Sequence, residues 1–584
     1  MNRSLLLLLL WTAIAVGLRS WNLDIKPPWT DEFATLVFSL GRSFDDVALG
    51  QILSMENLLQ VLRPLTQADP QRVIDGILDH DNHPPFYFAL AHLWYRLFPT
   101  HGEYLAVTVG RSLPVLFGAL AVPVGYGCVQ WIWGKQSDRL AHCVALAMAV
   151  SPYGVFISQE ARHYTLAMVW GLLSLACCLK SAQYWQRGQR LPLYLSLTWT
   201  GVNALGVSTH FLIVLLITAE GLGLAAWRWG LWRQGKVLLL ERINIFLPVI
   251  LGTIAVLAVW GWLIQQREFG NGMTQWIQFD EMTWVGFIFG PPIQLLAAWI
   301  TMVCLFPVES TELPVIILSG LGMIIYFWWL MPVLKQGIYR SLNTRLSLET
   351  SLLIKIFASL TLVYLAIAYG AGLDITRGAR YSFNFWPVLM LIVGIGLDQG
   401  NQNRTEGFVN SRKPKIIWQR GLKMSRQGLH LPAIFLITGI ISGLTITHNL
   451  GYQKYYRPDR FLALLNQTQT SQNRWIVSPH QSLVQTGELL GIALEAQRHF
   501  PELAPQLRFL LLPATHNRDP AVVEQLQQHL EQQSNPIDLW VVNYPPAIAL
   551  EHCQKDPTSP QNIYGYSYQH FTCPETGNMD YLKP

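Results

Sequence analysis

Long apolar runs separated by short polar segments fill the first 448 residues of the chain. A run of about 17 to 25 apolar residues crosses a bilayer as an α-helix, and about eleven such runs are present. We therefore predict an α-helical polytopic membrane protein with about 11 to 13 transmembrane helices. The eleven predicted spans are 5–21, 111–133, 139–157, 165–182, 191–209, 211–229, 243–264, 313–334, 351–370, 383–397 and 431–448.

Two further apolar segments fit this pattern less well. Residues 86–98 are short for a span, and residues 282–306 are interrupted by Gly290-Pro291-Pro292. Proline in a helix interior removes a backbone donor and breaks or kinks the helix. We expect each segment to form a juxtamembrane or re-entrant helix on the outer side of the membrane.

The rest of the chain is more polar and alternates strand-like with helix-like patterns. The predicted strands are 474–478, 508–513 and 537–543, and the predicted amphipathic helix is 521–533. The chain thus divides into a membrane body at 1–448, with a long first outer loop at 22–110, and a small C-terminal α/β domain at 449–584.

Composition supports the membrane class and gives the chain an orientation. The chain is 51% hydrophobic and 13% charged, whereas a soluble domain is about 25% charged. Lysine and arginine collect in short loops, which marks the cytoplasmic side. These basic loops are 135–139, 187–190, 228–242, 335–345 and 404–426. They place Met1 inside, and they are too short and scattered to indicate nucleic-acid binding.

This orientation predicts an integral protein of an inner or plasma membrane whose C-terminal domain is extracytoplasmic. Five of the seven cysteines lie in or beside apolar spans, whereas Cys553 and Cys573 lie in the outer tail. An oxidising compartment permits a disulfide between an isolated pair of this kind. We expect Cys553 and Cys573 to be joined.

An acidic pair, Asp31 and Glu32, follows the first span beside Trp29. Carboxylates at a membrane surface suit a lipid-facing enzyme that takes a proton from an acceptor. The alternative is that the pair only favours the N-terminus of the next helix. Later in the same loop, Asp81 and His83 precede Pro84-Pro85, where His83 could also be a simple helix cap.

Three more outer segments carry polar residues that suit a phosphate or a sugar. Arginine presents a rigid fork that fits a phosphate oxyanion, and arginines on the outer side run against the usual distribution of positive charge. A plain surface ion pair between Glu160 and Arg162 is the alternative for the first segment. The candidates are Glu160, Arg162, His163 and Tyr164, the turn residue His210, and Arg377, Arg380 and Tyr381.

These motifs occur in an order that resembles the GT-C glycosyltransferases, in particular the bacterial protein O-mannosyltransferases and aminoarabinose transferases. The matching features are an Asp-Glu pair after the first span, a histidine before Pro-Pro, and a late Arg-Tyr before a span. Further matches are Arg111-Ser-Leu-Pro and Ser151-Pro152 with Ser158-Gln-Glu-Ala-Arg162-His-Tyr164. The resemblance covers most of the membrane body and does not cover the tail.

The resemblance implies an enzyme that moves a monosaccharide from a polyprenyl-phosphate carrier to a lipid, glycan or protein acceptor on the extracytoplasmic face. Asp31 would be the general base with Glu32 beside it, and a single displacement would invert the anomeric carbon. The expected phosphate ligands are Arg377, Arg380, Arg162 and His83. The expected acceptor or sugar ligands are Asp81, Glu160, His163, Tyr164, His210 and Tyr381.

No cofactor is required by this scheme, because arginines can neutralise a monophosphate. The acidic trio Asp31, Glu32 and Asp81 could still hold a divalent ion. Three other functions remain open: a polysaccharide polymerase or ligase, a transporter of a lipid-linked sugar, and a scaffold for an envelope complex. A transporter would be expected to carry ionisable residues in the middle of several spans.

Overall fold

The structure is a computed structural model that describes residues 2–81, 83–235, 243–265, 277–279, 283–401, 430–468, 473–516, 518–559 and 561–574. The predicted basic loop 404–426 and residues 236–242 of another basic loop lie outside the described residues.

Seventeen α-helices precede the C-terminal domain in the described part of the chain. The first is α1 (Arg3–Ser20), and the first loop then holds α2 (Thr30–Ser39), strand β1 (Leu53–Ser54), α3 (Met55–Leu59), α4 (Pro70–His80) and α5 (Phe86–Tyr95). The next helices are α6 (Val107–Trp133), α7 (Asp138–Val150), α8 (Pro152–Ser158), α9 (Tyr164–Gln186), α10 (Leu193–Thr209) and α11 (Ile213–Arg233). The last are α12 (Leu247–Gln265), α13 (Trp284–Val303), α14 (Leu313–Ser341), α15 (Ser347–Ala371), α16 (Phe385–Asn401) and α17 (His430–Thr447).

Nine helices in the described residues are long and apolar enough to cross a membrane, and the bent pair α7 and α8 would make ten. The nine are α1, α6, α9 and α11 to α16, in which a short 3₁₀ turn leads into α16. Helices α10 and α17, which were predicted as spans, are shorter. This set is that of an integral membrane protein. Each predicted span falls on one helix except 139–157, which is divided into the bent pair α7 and α8.

The chain bends between α7 and α8, at Pro152, and this bend sets the direction of the turn that follows α8. Pro152 begins α8 and has no N–H for the carbonyl of Met148. The buried Arg19 of α1 replaces this donor: its Nη2 donates to the Met148 carbonyl at 2.9 Å and its Nη1 to the Ala149 carbonyl at 2.8 Å. The resulting bend of 54° leads directly into the turn 158–163.

Helix α13 corrects one prediction, because it runs without a break through Pro291 and Pro292. The missing N–H of Pro292 leaves the carbonyl of Ile288 without its helical partner. The Tyr369 hydroxyl donates to that carbonyl at 2.6 Å and so compensates for the loss. After α13, the Glu309 carboxylate accepts a hydrogen bond from the backbone N–H of Gln453, which follows α17. Helix α13 is long and apolar enough to cross a membrane, so its re-entrant course stays a prediction.

The C-terminal domain is a mixed sheet with helices on its faces. Its elements are α18 (Pro458–Gln467), β2 (Arg474–His480), α19 (Leu483–His499), β3 (Leu507–Pro513), α20 (Ala521–Glu531), β4 (Ile537–Val542), β5 (Gln554–Lys555), β6 (Gln561–Ile563) and β7 (Tyr566–Cys573). The strand order is β1, β3, β2, β4, β7, β5, and β6 pairs with β7. The three predicted strands and the predicted helix are confirmed.

The first loop and the C-terminal domain share one hydrophobic core. The division of the sequence at residue 449 had placed them in separate parts of the molecule. Strand β1 of the loop pairs with β3 of the tail, with Leu53 opposite Phe509. Helix α19 lies directly against α2, where a Cβ added to Gly487 would come within 2.7 Å of the Thr30 side chain. The tail therefore packs against α2, the helix that carries the acidic pair.

Cys553 and Cys573 form a disulfide that closes the end of the sheet. The other five cysteines are free, and four of them are buried. The bridge joins residues 20 positions apart, and closing a loop of this size stabilises a fold by roughly 3 kcal/mol in the chain-entropy model.

Candidate active site

Charged side chains from five separate segments meet near the N-terminus of α2. The segments are the first loop, the start of α6, the turn between α8 and α9, the turn before α16, and the beginning of the tail. We call this group the charged cluster; its members are Asp31, Glu32, Asp81, His83, Arg111, Glu160, Arg162, Arg380 and Lys454.

Asp31 is the carboxylate of the cluster that solvent reaches best. Its side chain is 29% exposed, whereas the other three carboxylates are 5% exposed or less. It lies in the first turn of α2, and its Oδ2 is 3.3 Å from Nε of Arg380. Asp31 is therefore the acid that an incoming acceptor could reach.

Arg380 is fixed by aromatic rings and by its own backbone. Its guanidinium carbon lies 4.5 Å from the ring centroid of Trp29 and 4.7 Å from that of Tyr381. The Tyr153 hydroxyl contacts the Arg380 carbonyl at 3.1 Å, and Tyr364 donates to the Tyr381 carbonyl at 2.6 Å. A guanidinium held in this way is preorganised to bind two oxygens of an anion such as phosphate.

Arg162 is buried, and its hydrogen-bond partners among the described residues are all neutral. Nη1 donates to the Asp31 carbonyl at 2.9 Å and to Thr35 Oγ1 at 3.1 Å, and Nη2 donates to Nε2 of His83 at 3.0 Å. Its Nε has no hydrogen-bond partner in the described part of the chain. A buried cation is costly unless an anion accompanies it.

The contacts of His83 define its tautomer. Arginine can only donate, so Nε2 of His83 accepts the bond from Arg162. The ring proton is then on Nδ1, which lies 2.7 Å from Asp81 Oδ1 and donates to it. Asp81 thus holds the His83 ring in place, and His83 in turn orients Arg162.

Glu32 has a different environment from Asp31, although the two are adjacent. Arg111 donates from Nε and Nη2 to the two carboxylate oxygens of Glu32 at 2.8 Å each, and the Ala161 N–H donates at 2.7 Å. Burial raises the pKa of Glu32, but Arg111 and the Ala161 N–H together hold that pKa below its ordinary value. Glu32 stays ionised and joins α2, α6 and the 158–163 turn.

Three aromatic or imidazole side chains line the cluster next to His83. The rings of His163 and His210 are 4.5 Å apart, and Tyr164 is 4.9 Å from His163. Burial lowers the pKa of both histidines well below the ordinary value, and Arg162 acts in the same direction. Both ring nitrogens of His163, and Nε2 of His210, lack a hydrogen-bond partner in the described residues. These neutral rings can hydrogen-bond a ligand.

Two groupings expected from the sequence differ from the contacts seen among the described residues. Arg377 lies 3.5 Å from Asp374 and donates to the Gln278 carbonyl at 3.0 Å, and these contacts do not include a member of the cluster. The three carboxylates of the possible metal trio are also engaged separately, because they pair with Arg380, Arg111 and His83, respectively. No group of three metal-ligating residues is found in the part of the chain that the structure describes.

Sequence reasoning missed two members of the cluster as site residues. Lys454 contacts Glu160 from the tail, and Arg111 pairs with Glu32. Arg111 was noted only within a motif at the start of a span, and its position next to an outer loop was the available signal. Lys454 has no spacing relation to any motif, so only the structure shows that it lies in the cluster.

No protein-family model matches the chain, and no curated protein matches it. Among solved structures, ArnT from Cupriavidus metallidurans bound to undecaprenyl phosphate shares 12% identity, with 96% of this chain and 97% of that chain covered and a TM-score of 0.48. The Archaeoglobus fulgidus oligosaccharyltransferase in the apo form shares 12% identity over 92% of this chain and 69% of that chain, with a TM-score of 0.44.

The arabinofuranosyltransferase AftD from Mycobacteria shares 14% identity, with 99% of this chain and 40% of that chain covered and a TM-score of 0.35. These likenesses extend over nearly the whole chain. All three TM-scores are below 0.5, so the assignment of function depends on the geometry of the charged cluster.

Proposed function

We propose that the chain is a membrane glycosyltransferase that moves a monosaccharide from a polyprenyl-phosphate carrier to an acceptor hydroxyl. This is also the function that the sequence motifs imply. The observation that carries the proposal is Arg162, a buried guanidinium without an ion-pair partner among the described residues, placed beside the Asp31–Arg380 pair. A phosphate between the two arginines would give Arg162 a direct ion-pair partner and would lie next to an accessible carboxylate.

The ion pair between Asp31 and Arg380 suggests how substrate binding prepares the reaction. When the carrier phosphate binds Arg380, it replaces Asp31 as the partner of the guanidinium. Asp31 is then free to accept the proton of the acceptor hydroxyl. The acceptor oxygen bonds to the anomeric carbon, the bond from that carbon to the phosphate oxygen breaks, and Arg162 and Arg380 stabilise the phosphate that leaves. One displacement inverts the anomeric carbon.

The remaining residues of the site fall into supporting roles. His83 and Asp81 orient Arg162, while Glu32 and Arg111 hold α2 against the bundle. We assign sugar contacts to His163, Tyr164, His210 and Tyr381, because neutral hydrogen-bonding rings beside a phosphate site suit the hydroxyl groups and ring faces of a sugar. No step in this scheme requires a metal ion.

The open alternatives receive less support from the described residues. A transporter should have ionisable groups along a path through the spans. The buried Glu220 of α11 is one such group, but it accepts a bond from Ser174, which also bonds to Asn203, so it belongs to a network that ties helices together. A polymerase or ligase would also use arginines and a carrier lipid, and its donor specificity would distinguish it.

Binding of the carrier provides the test. We expect the purified protein to bind undecaprenyl phosphate and to bind undecaprenol, which lacks the phosphate, at least tenfold more weakly. Native mass spectrometry in detergent can measure both lipids in competition. Equal binding of the two lipids would show that the arginines do not select a phosphate and would contradict the proposal.

We also propose that the site and the C-terminal domain face the extracytoplasmic side. Cys553 and Cys573 should then resist an impermeant thiol reagent on intact cells until a reductant is added, because the disulfide persists only in an oxidising compartment. Labelling without reductant would show that the bridge is absent in the cell. A reporter fused after Pro584 should be active outside, and a cytoplasmic result would reverse the assigned orientation.

A further inference from the structure

The segment between α17 and α18 brings a lysine of the tail into the charged cluster. Nζ of Lys454 contacts Oε1 of Glu160 and lies 4.3 Å from the ring centroid of Trp29 and 5.2 Å from that of Phe156. The Lys454 side chain is 11% exposed. The wall of the site is therefore built in part by a residue outside the membrane body.

The segment around Lys454 is fixed to both parts of the molecule. The Tyr452 ring stacks on Phe156 at 4.2 Å, and its hydroxyl contacts Thr301 Oγ1 at 2.6 Å. Towards the tail, the N–H of Arg457 donates to the Tyr564 carbonyl at 2.9 Å. Lys454 is thus presented to the cluster in one position.

Glu160 explains why a cation is needed at this point. Its side chain is 1% exposed, and its Oε2 has no hydrogen-bond partner among the described residues. Glu160 is two residues before Arg162, and Arg380 lies on the same Trp29 ring as Lys454. Without Lys454, an unpaired buried carboxylate would be attracted to these arginines and would compete there with a phosphate.

We propose that the C-terminal domain takes part in the active site through Lys454, a positioning residue that keeps Glu160 away from Arg162 and Arg380. Both guanidinium groups then remain available to the carrier phosphate. This inference rests on the proposed function, because it assigns the phosphate to those two arginines.

The experiment compares four variants of the full-length protein. Lys454→Met removes the charge and keeps an unbranched chain of similar length, Lys454→Arg keeps the charge, and Lys454→Met with Glu160→Gln removes both charges. Lys555→Met is the matched control, since Lys555 is also in the tail, lies 5.7 Å from the ring of Phe571, and is bonded to Gln569 outside the cluster. Affinity for undecaprenyl phosphate and thermal stability in detergent are measured for each.

We expect Lys454→Met to weaken binding of undecaprenyl phosphate about tenfold, and the added Glu160→Gln change to restore it to within about threefold of wild type. Lys454→Arg should keep most of the affinity, and Lys555→Met should bind as wild type does. Unchanged affinity in Lys454→Met, or a loss that Glu160→Gln does not relieve, would overturn the inference. Failure of the wild-type protein to bind the lipid would overturn the proposed function and this inference with it.

Discussion

Replacing Asp31 with asparagine should reduce sugar transfer by about 100- to 10,000-fold, the range expected for loss of a general base. Binding of undecaprenyl phosphate should be retained or become tighter in the same variant. The reason is that Asp31 occupies the Arg380 guanidinium at 3.3 Å in the structure, so the wild-type phosphate has to displace it. Asparagine fills the same space without the negative charge.

The two measurements on Asp31→Asn are transfer under single-turnover conditions and affinity for the carrier lipid. Asp75→Asn is the matched control, because Asp75 is an exposed aspartate of the same loop, on α4, that accepts a bond from Gln71. The control should transfer and bind as wild type does. Wild-type transfer by Asp31→Asn would remove Asp31 from the mechanism, and a large loss of lipid binding would show that Asp31 does not compete with the phosphate.

The second large effect is expected at Arg380. Arg380→Ala should lower affinity for the carrier phosphate or stabilisation of the transition state by about 1.5 to 3 kcal/mol, the cost of one charge-assisted contact. Arg380→Lys should recover only part, because the planar fork and its contact with Trp29 are lost. Steady-state measurement of donor KM and kcat separates binding from transition-state effects.

Arg377→Ala is the informative comparison for Arg380, since the two arginines lie on the same turn. Arg377 contacts Asp374 and the Gln278 carbonyl, so its loss should change donor KM and kcat much less than the loss of Arg380. Equal effects at the two positions would support the expectation from the sequence that Arg377 and Arg380 both bind the phosphate. If Arg380→Ala leaves both constants unchanged, the phosphate lies elsewhere.

Much of the fold is predictable because each element is encoded locally. Apolar run length predicts the spans, and short apolar runs bounded by polar segments predict the buried strands β2, β3 and β4. Helix α13 was mispredicted as broken, since the hydroxyl of Tyr369 that compensates for Pro292 comes from a distant helix. Strand β1 was missed for a similar reason, because its two residues gain their partner only when β3 is beside them.

The site divides in the same way between local and non-local information. Asp31 stands out in the sequence as part of an acidic pair beside the first span, and Arg380 stands out because an arginine on the outer side runs against the usual distribution of positive charge. The sequence does not show that Asp31 and Glu32 have different roles. That difference depends on Arg111, which pairs with Glu32 from 79 positions away. Lys454 is 294 positions from Glu160, and no spacing rule connects residues at that distance.

In the proposed mechanism, a carrier phosphate binds between Arg162 and Arg380, next to Asp31. The most direct measurement is an experimental structure of the full-length protein with undecaprenyl phosphate. We expect density for the phosphate within hydrogen-bonding distance of both guanidinium groups, with Asp31 no longer paired to Arg380. Phosphate density away from both arginines, with the Asp31–Arg380 pair intact, would contradict it.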